Sequence, residues 1–195
     1  LLFVFILISS CLSGYLFFTL FSFYELIYFS PLILVALFYA VKLSNKSLRD
    51  IPFLKIILIA ACWAAVTVLI PAHINQELSG YGTWAVFSLN FIYIFALVIP
   101  FDIRDLHFDE PEKKTIPQLI GLKAAKYTGV LLLVICGLLS CALFKEAVYL
   151  IPVYFISIVL MLQVNNKRKE LFYALGIDGL ILLFPFSTWI IKSYI

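Results

Sequence analysis

Three aspartates lie in the stretch Asp102-Ile-Arg-Asp105-Leu-His-Phe-Asp109. Spacings of three and seven residues put their carboxylates on one face of a helix. Like charges on one face repel one another, so helix stability does not account for them. A divalent cation would account for them, because the clustered oxygens share its positive charge. The spacing therefore predicts that Asp102, Asp105 and Asp109 bind a divalent metal ion, with Mg²⁺ as the expected cofactor.

The sequence around these aspartates is strongly apolar. Residues 88–101 and 130–144 carry no charge. The acids are therefore predicted to lie at the edge of a membrane, where charged side chains are costly and usually functional. The alternative is a solvated loop in which the acids pair with nearby lysines, as the pattern around Glu110 and Lys114 indicates.

Magnesium keeps several of its waters and often bridges to the phosphates of a substrate. A diphosphate at the membrane face would suit such a site. Basic side chains would bind the phosphate oxygens that do not contact the metal. Four such side chains lie near the motif or in a loop on the same side of the membrane. They are Arg104, Lys113, Lys114 and Lys42.

The composition places the chain in the membrane. Of its 195 residues, 64% are hydrophobic and 13% are charged, and the mean hydropathy is +1.09. Soluble domains are about 45–50% apolar and about 25% charged. The net charge of +3 is small and scattered, which argues against nucleic acid as a partner. The four cysteines lie in apolar runs without CxxC spacing, which favours simple burial over disulfides or metal binding.

A membrane helix needs about 20 mainly apolar residues. By this criterion we predict an all-α, polytopic transmembrane bundle that forms one domain over residues 1–195, with a long polar loop at residues 102–121. Asn90 is expected to form a hydrogen bond between helices, and His73 to face solvent in a loop. The seven predicted spans are residues 1–21, 26–41, 52–70, 83–101, 124–144, 147–163 and 171–191.

The basic residues fall mostly on one side of this predicted topology. With alternating spans, 12 of the 14 lysines and arginines share one side, and only Lys145 and Lys192 lie on the other. Because positive loops stay in the cytoplasm, the aspartate loop is predicted to be cytoplasmic. We expect an integral membrane protein of a bacterial inner membrane.

The first residues are already apolar, and the only methionine is Met161. A signal peptide would show a basic start and a small-residue cleavage site, and neither is present. We interpret the chain as a fragment that lacks an N-terminal part.

The aspartate stretch, followed by Lys114-Thr115-Ile116-Pro117 and by Gly121, resembles the second aspartate motif of the UbiA superfamily of intramembrane prenyltransferases. In that family the pattern is Asp-x-x-Asp-x-x-x-Asp, then a basic residue, Thr-Leu-Pro and a glycine. The stretch from Phe38 to Lys42 resembles the family's Tyr/Lys stretch, which implies that Tyr39 and Lys42 also bind the diphosphate. The family has nine helices, with this motif after the sixth. The resemblance therefore implies that the chain is the C-terminal portion, without the first two helices and the first aspartate motif.

The resemblance implies Mg²⁺-dependent transfer of an isoprenyl group from an isoprenyl diphosphate to a lipophilic, often aromatic, acceptor within membrane lipid. The family's first motif, Asn-Asp-x-x-Asp, is absent from this sequence. The alternative is therefore a catalytically degenerate UbiA-like membrane protein that binds lipid or a partner. An upstream Asn-Asp-x-x-Asp would favour the enzyme. A transporter would need acids in the middle of the membrane, which only Asp178 approaches.

Overall fold

The computed structural model describes residues 2–20, 27–40, 51, 53–106, 108, 114–165 and 168–184. Every regular element in these ranges is a helix, which agrees with the predicted all-α class. We number the helices in chain order, and short 3₁₀ turns precede two of them. They are α1 (Leu2–Leu20), α2 (Ser30–Ala40), α3 (Leu54–Ile74), α4 (Tyr81–Asp105), α5 (Ile116–Ile120), α6 (Leu122–Leu143), α7 (Ile151–Gln163) and α8 (Phe172–Phe184).

Four of these helical segments are long and apolar enough to cross a membrane. They are α3, α4, α6 and the segment Lys145–Gln163, which joins a 3₁₀ turn to α7, and they contain between 19 and 25 residues. A membrane protein with several spans is therefore supported by the structure, whereas the count of seven stays a prediction. The last part of the predicted seventh span, residues 185–191, lies outside the described residues.

Helix α4 lies at the centre of the described bundle. It packs against α3 on one side and α6 on another, and α6 packs in turn against α7. Tyr93, Leu97, Ile99 and Ile103 along α4 are almost completely buried. A helix that is apolar all round must be surrounded by other elements or by lipid. The position of α4 fixes where the residues at its two ends lie.

Two buried tyrosines connect the helices around α4. The hydroxyl of Tyr93 forms a 2.9 Å hydrogen bond with Ser157 of α7. The hydroxyl of Tyr154 forms a 2.8 Å hydrogen bond with Ser140 of α6. Both tyrosine rings contact Phe184 of α8. Because an apolar interior offers no water to a hydroxyl, these pairs satisfy groups that would otherwise be costly to bury.

Close packing of α6 on α7 depends on Gly129. A Cβ atom at this position would lie 2.6 Å from Cε and 2.9 Å from Sδ of Met161. Met161 is fully buried, so its tip has little room to move away. We expect Gly129→Leu to lower the free energy of unfolding by about 1–3 kcal/mol through overpacking. Thermal unfolding in detergent micelles would measure the loss.

Gly179→Leu in α8 is the matched control, because a Cβ atom at Gly179 would meet no atom within 4 Å. Its unfolding temperature should stay close to that of the unmodified protein. Equal losses in the two variants would contradict the packing of α6 on α7 described above.

Candidate site at the aspartate end of the bundle

Asp102 and Asp105 lie in the last turn of α4, not in the predicted loop. The helix continues because no glycine or proline follows Pro100 before Asp105, and because Ile103 is fully buried and anchors this turn. Acidic residues are unfavourable at the C-terminal end of a helix, where the helix dipole is negative. Both carboxylates therefore need compensation from positive groups.

Lys55 supplies the compensation for Asp102. Asp102 is only 1% exposed, and its Oδ1 accepts a 2.9 Å hydrogen bond from Nζ of Lys55 in the first turn of α3. A buried carboxylate without a positive partner would be strongly destabilising. Lys55 was not predicted as a site residue. The sequence feature that could have identified Lys55 is its isolation, because it is the only residue of α3 with a full charge at neutral pH.

Asp105 is paired with its neighbour Arg104. Nε and Nη2 of the guanidinium donate to the two carboxylate oxygens at 2.7 and 3.1 Å. The guanidinium carbon lies 5.3 Å from the ring centroid of Phe101 and 5.5 Å from that of Tyr173 in α8. Glu170 and Asp178 also lie within electrostatic range of Arg104. Arg104 thus connects the end of α4 to α8. We call Lys55, Asp102, Arg104 and Asp105 the aspartate end.

The second half of the motif has clear local roles. The backbone N–H of Thr115 donates a 2.9 Å hydrogen bond to the side-chain oxygen of Gln118, which caps the start of α5. Pro117 lies in the first turn of α5, where a missing N–H costs nothing. Gly121 joins α5 to α6 with φ +83°, a conformation that favours glycine. These residues bring α5 back against α4.

The remaining predicted site residues are not joined to the aspartate end in the part of the chain that is described. Tyr39 is half-buried in α2 and forms no hydrogen bond to a described residue. Lys114 is exposed and forms no ion pair with a described residue. Asp109, Lys42 and Lys113 lie outside the described residues.

Two of the three predicted metal ligands can therefore be tested for fit. Their carboxylate oxygens are the donors that Mg²⁺ prefers. Each carboxylate is already neutralised, Asp102 by Lys55 and Asp105 by Arg104. Within the described ranges, no three His, Cys, Asp or Glu side chains lie close enough together to hold a metal. The donor chemistry fits Mg²⁺, but its binding here requires Lys55 or Arg104 to give up a carboxylate.

The structure agrees with one of the two predictions made for polar residues in or beside the apolar segments, Asn90 and His73, and differs from the other. The prediction for Asn90 is confirmed, because its amide donates a 2.7 Å hydrogen bond from α4 to Oγ1 of Thr67 in α3. The prediction for His73 is wrong. α3 continues through Pro71 to Ile74, and the half-buried His73 ring lies against the edge of Tyr28, 3.9 Å between centroids.

Arg104 should matter for stability through its planar shape as well as its charge. Arg104→Lys keeps the charge but loses the two-point contact with Asp105 and the stacking on two rings. We expect the free energy of unfolding to fall by about 1–2 kcal/mol. Thermal unfolding in detergent would show this loss.

Arg168→Lys provides the matched comparison for Arg104→Lys. Arg168 is exposed, and its guanidinium carbon lies 5.2 Å from the single ring of Phe172. The loss of stability should be less than half of that in Arg104→Lys. A larger loss in Arg168→Lys would argue against Arg104 as the connection between α4 and α8.

A search for a matching family model, for a similar curated protein and for a similar solved structure finds none. The fold and the site define an all-helical protein with four helical segments that are long and apolar enough to cross a membrane, and with two ion-paired aspartates at one end of its central helix.

Proposed function

We propose that this chain is part of a UbiA-type prenyltransferase of a bacterial inner membrane, with the aspartate end in the cytoplasm. The enzyme uses Mg²⁺ to transfer an isoprenyl group from an isoprenyl diphosphate to a lipophilic acceptor. One observation carries the proposal: Asp102 and Asp105 lie one turn apart at the end of a helix that is long and apolar enough to cross a membrane, each beside a cation. Two acids at the negative end of a helix destabilise it, which favours a functional reason for them.

The residues of the aspartate end divide into two roles in this proposal. Asp102 and Asp105 bind the metal, together with Asp109. When bound, Mg²⁺ neutralises charge on the diphosphate leaving group. Lys55 and Arg104, released from their carboxylates, donate to the phosphate oxygens, for which an ammonium and a planar guanidinium are well suited. Before substrate binds, the same two cations keep the acids neutralised, which lowers the cost of an empty site.

The second candidate is a catalytically degenerate relative that binds lipid or a partner. The specific observation in its favour is that both carboxylates are already paired. The capping of α5 by Gln118 and the backbone of Gly121 likewise explain part of the motif as local structure. In this reading the Lys55–Asp102 ion pair joins α3 to α4, the stacking of Arg104 on Tyr173 joins α4 to α8, and no metal binds.

Metal removal separates the two candidates. Full-length protein in lipid nanodiscs would be incubated with a panel of prenyl diphosphates and membrane extract as the source of acceptor. We expect diphosphate release and prenyl transfer with Mg²⁺, and loss of both on chelation with EDTA, because the leaving group then keeps its full charge. Recovery on adding Mg²⁺ back is the control. No release from any member of the panel would favour the degenerate relative.

A further inference from the structure

A cavity lies at the other end of the bundle, between α3, α4 and α8. Its volume is about 950 Å³, which is within the range of ligand sites, about 300–1,000 Å³. Twelve residues separate Asn90 in its wall from Asp102, or about 18 Å along the helix. Leu97 and Ile99 are fully buried between them, so this cavity is distinct from the aspartate end.

Asn90 gives the cavity a hydrogen-bonding group at membrane depth. One N–H of its amide donates to Thr67. The amide oxygen and the second N–H have no partner among the residues that the structure describes. A polar side chain in a membrane-spanning helix is costly unless its groups are satisfied. A ligand with one donor and one acceptor would satisfy both.

The backbone of α3 is shaped around the cavity. Residues Ala65–Leu69 form a π-helical turn, which places Thr67 and Val68 in the cavity wall. Such turns are rare and frequently lie at functional sites. At the mouth, Gly82 has open space where a side chain would be, since a Cβ atom there would meet nothing within 4 Å. The π-helical turn in the wall is therefore a sign of a ligand site, and the mouth beside Gly82 is open.

Charge and wall chemistry restrict the class of ligand. Among the described lining residues only Glu77 is charged, and it is exposed at the mouth. Without a cation, the cavity disfavours an anion such as a diphosphate or a fatty acid. The rest of the wall is mainly apolar and includes four aromatic side chains, which are Trp63, Tyr93, Phe144 and Phe184.

We infer that this cavity binds an uncharged lipid with a single hydroxyl head group, whose hydroxyl is hydrogen-bonded to Asn90 and whose hydrocarbon lies against the aromatic wall. The hydroxyl supplies the donor and the acceptor that the amide lacks. This site does not depend on the prenyltransferase proposal, because none of its residues belongs to the aspartate end.

Photolabelling tests the inference. The full-length protein in phosphatidylcholine nanodiscs would be labelled with a diazirine-bearing hexadecanol, and the labelled peptides mapped by mass spectrometry. We expect label in residues 63–94, with competition by unlabelled hexadecanol and about threefold weaker competition by hexadecyl methyl ether, which accepts a hydrogen bond but cannot donate one. The corresponding diazirine-bearing palmitate, an anion, should label these residues less than the alcohol.

Two variants and a control sharpen the result. Val86→Trp fills the cavity and should reduce labelling to the level of lipid-facing helices, whereas Leu131→Trp on the exposed face of α6 should not. Asn90→Leu should weaken competition by hexadecanol about tenfold, the loss expected for two hydrogen bonds. Competition needs no variant, so it remains informative if Val86→Trp does not fold. Label in residues 63–94 that hexadecanol fails to displace, or that palmitate matches, overturns the inference.

Discussion

Asp102→Ala is expected to lower Mg²⁺-dependent prenyl transfer by the full-length protein by at least about a hundredfold, the usual scale for removing one electrostatic contact to a transition state. The carboxylate supplies an oxygen ligand that alanine cannot replace. The variant should also be less stable by about 1–3 kcal/mol, since Lys55 loses the Asp102 carboxylate but is 29% exposed and partly solvated. Radiolabelled prenyl diphosphate turnover and thermal unfolding would measure the two effects.

A double variant separates the loss of chemistry from the loss of stability. Lys55→Met combined with Asp102→Leu replaces the ion pair by apolar side chains, a change that is often neutral for folding when the pair is buried. We expect near-normal thermal unfolding with no turnover. If this double variant kept full turnover, the ion pair would be structural and Asp102 would have no part in catalysis.

Asp105→Asn is expected to reduce turnover by about a hundredfold as well. The amide keeps the size of the side chain but removes its charge, so it binds Mg²⁺ poorly. Arg104 would lose its charged partner and gain freedom to bind phosphate, so apparent affinity for the prenyl diphosphate should fall less than turnover. Steady-state kinetics over a range of Mg²⁺ concentrations would measure the apparent affinity and the turnover separately.

Asp178→Asn is the matched control for Asp105→Asn. Asp178 is an exposed acid of α8 that also lies within electrostatic range of Arg104, but it is outside the motif. Its turnover and Mg²⁺ dependence should stay within about twofold of the unmodified protein, because Asp178 belongs neither to the predicted metal ligands nor to the two ion pairs. Equal losses at the two positions would indicate a general effect of charge around Arg104 and not a metal site.

The sequence predicted the helical class and the acidic motif because both depend on local pattern. Long apolar runs and a spacing of three residues can be read without tertiary contacts. The end of α4 was predicted wrongly. The helix continues into the motif because nothing in Phe101–Asp105 breaks a helix, whereas the loop at residues 102–121 was predicted from polarity alone. Polarity marks where a helix leaves the lipid and not where it ends.

The partners of the motif could not be predicted in the same way. Lys55 and Asp102 are 47 residues apart, and only the packing of α3 on α4 brings them to 2.9 Å. The contact of Arg104 with Tyr173 likewise depends on where α8 lies. The π-helical turn that contributes Thr67 and Val68 to the cavity wall could not be predicted either, because the sequence of Ala65–Leu69 is that of an ordinary apolar helix.

Equilibrium binding of prenyl diphosphates to the full-length protein tests the central claim most directly. The unmodified protein and the double variant Lys55→Met with Asp102→Leu would be compared, with Mg²⁺ and with EDTA. The account predicts binding that requires both Mg²⁺ and the Lys55–Asp102 pair, so that EDTA and the double variant each abolish it. Binding that persists in EDTA and in the double variant, or no binding of any prenyl diphosphate by the unmodified protein, would contradict it.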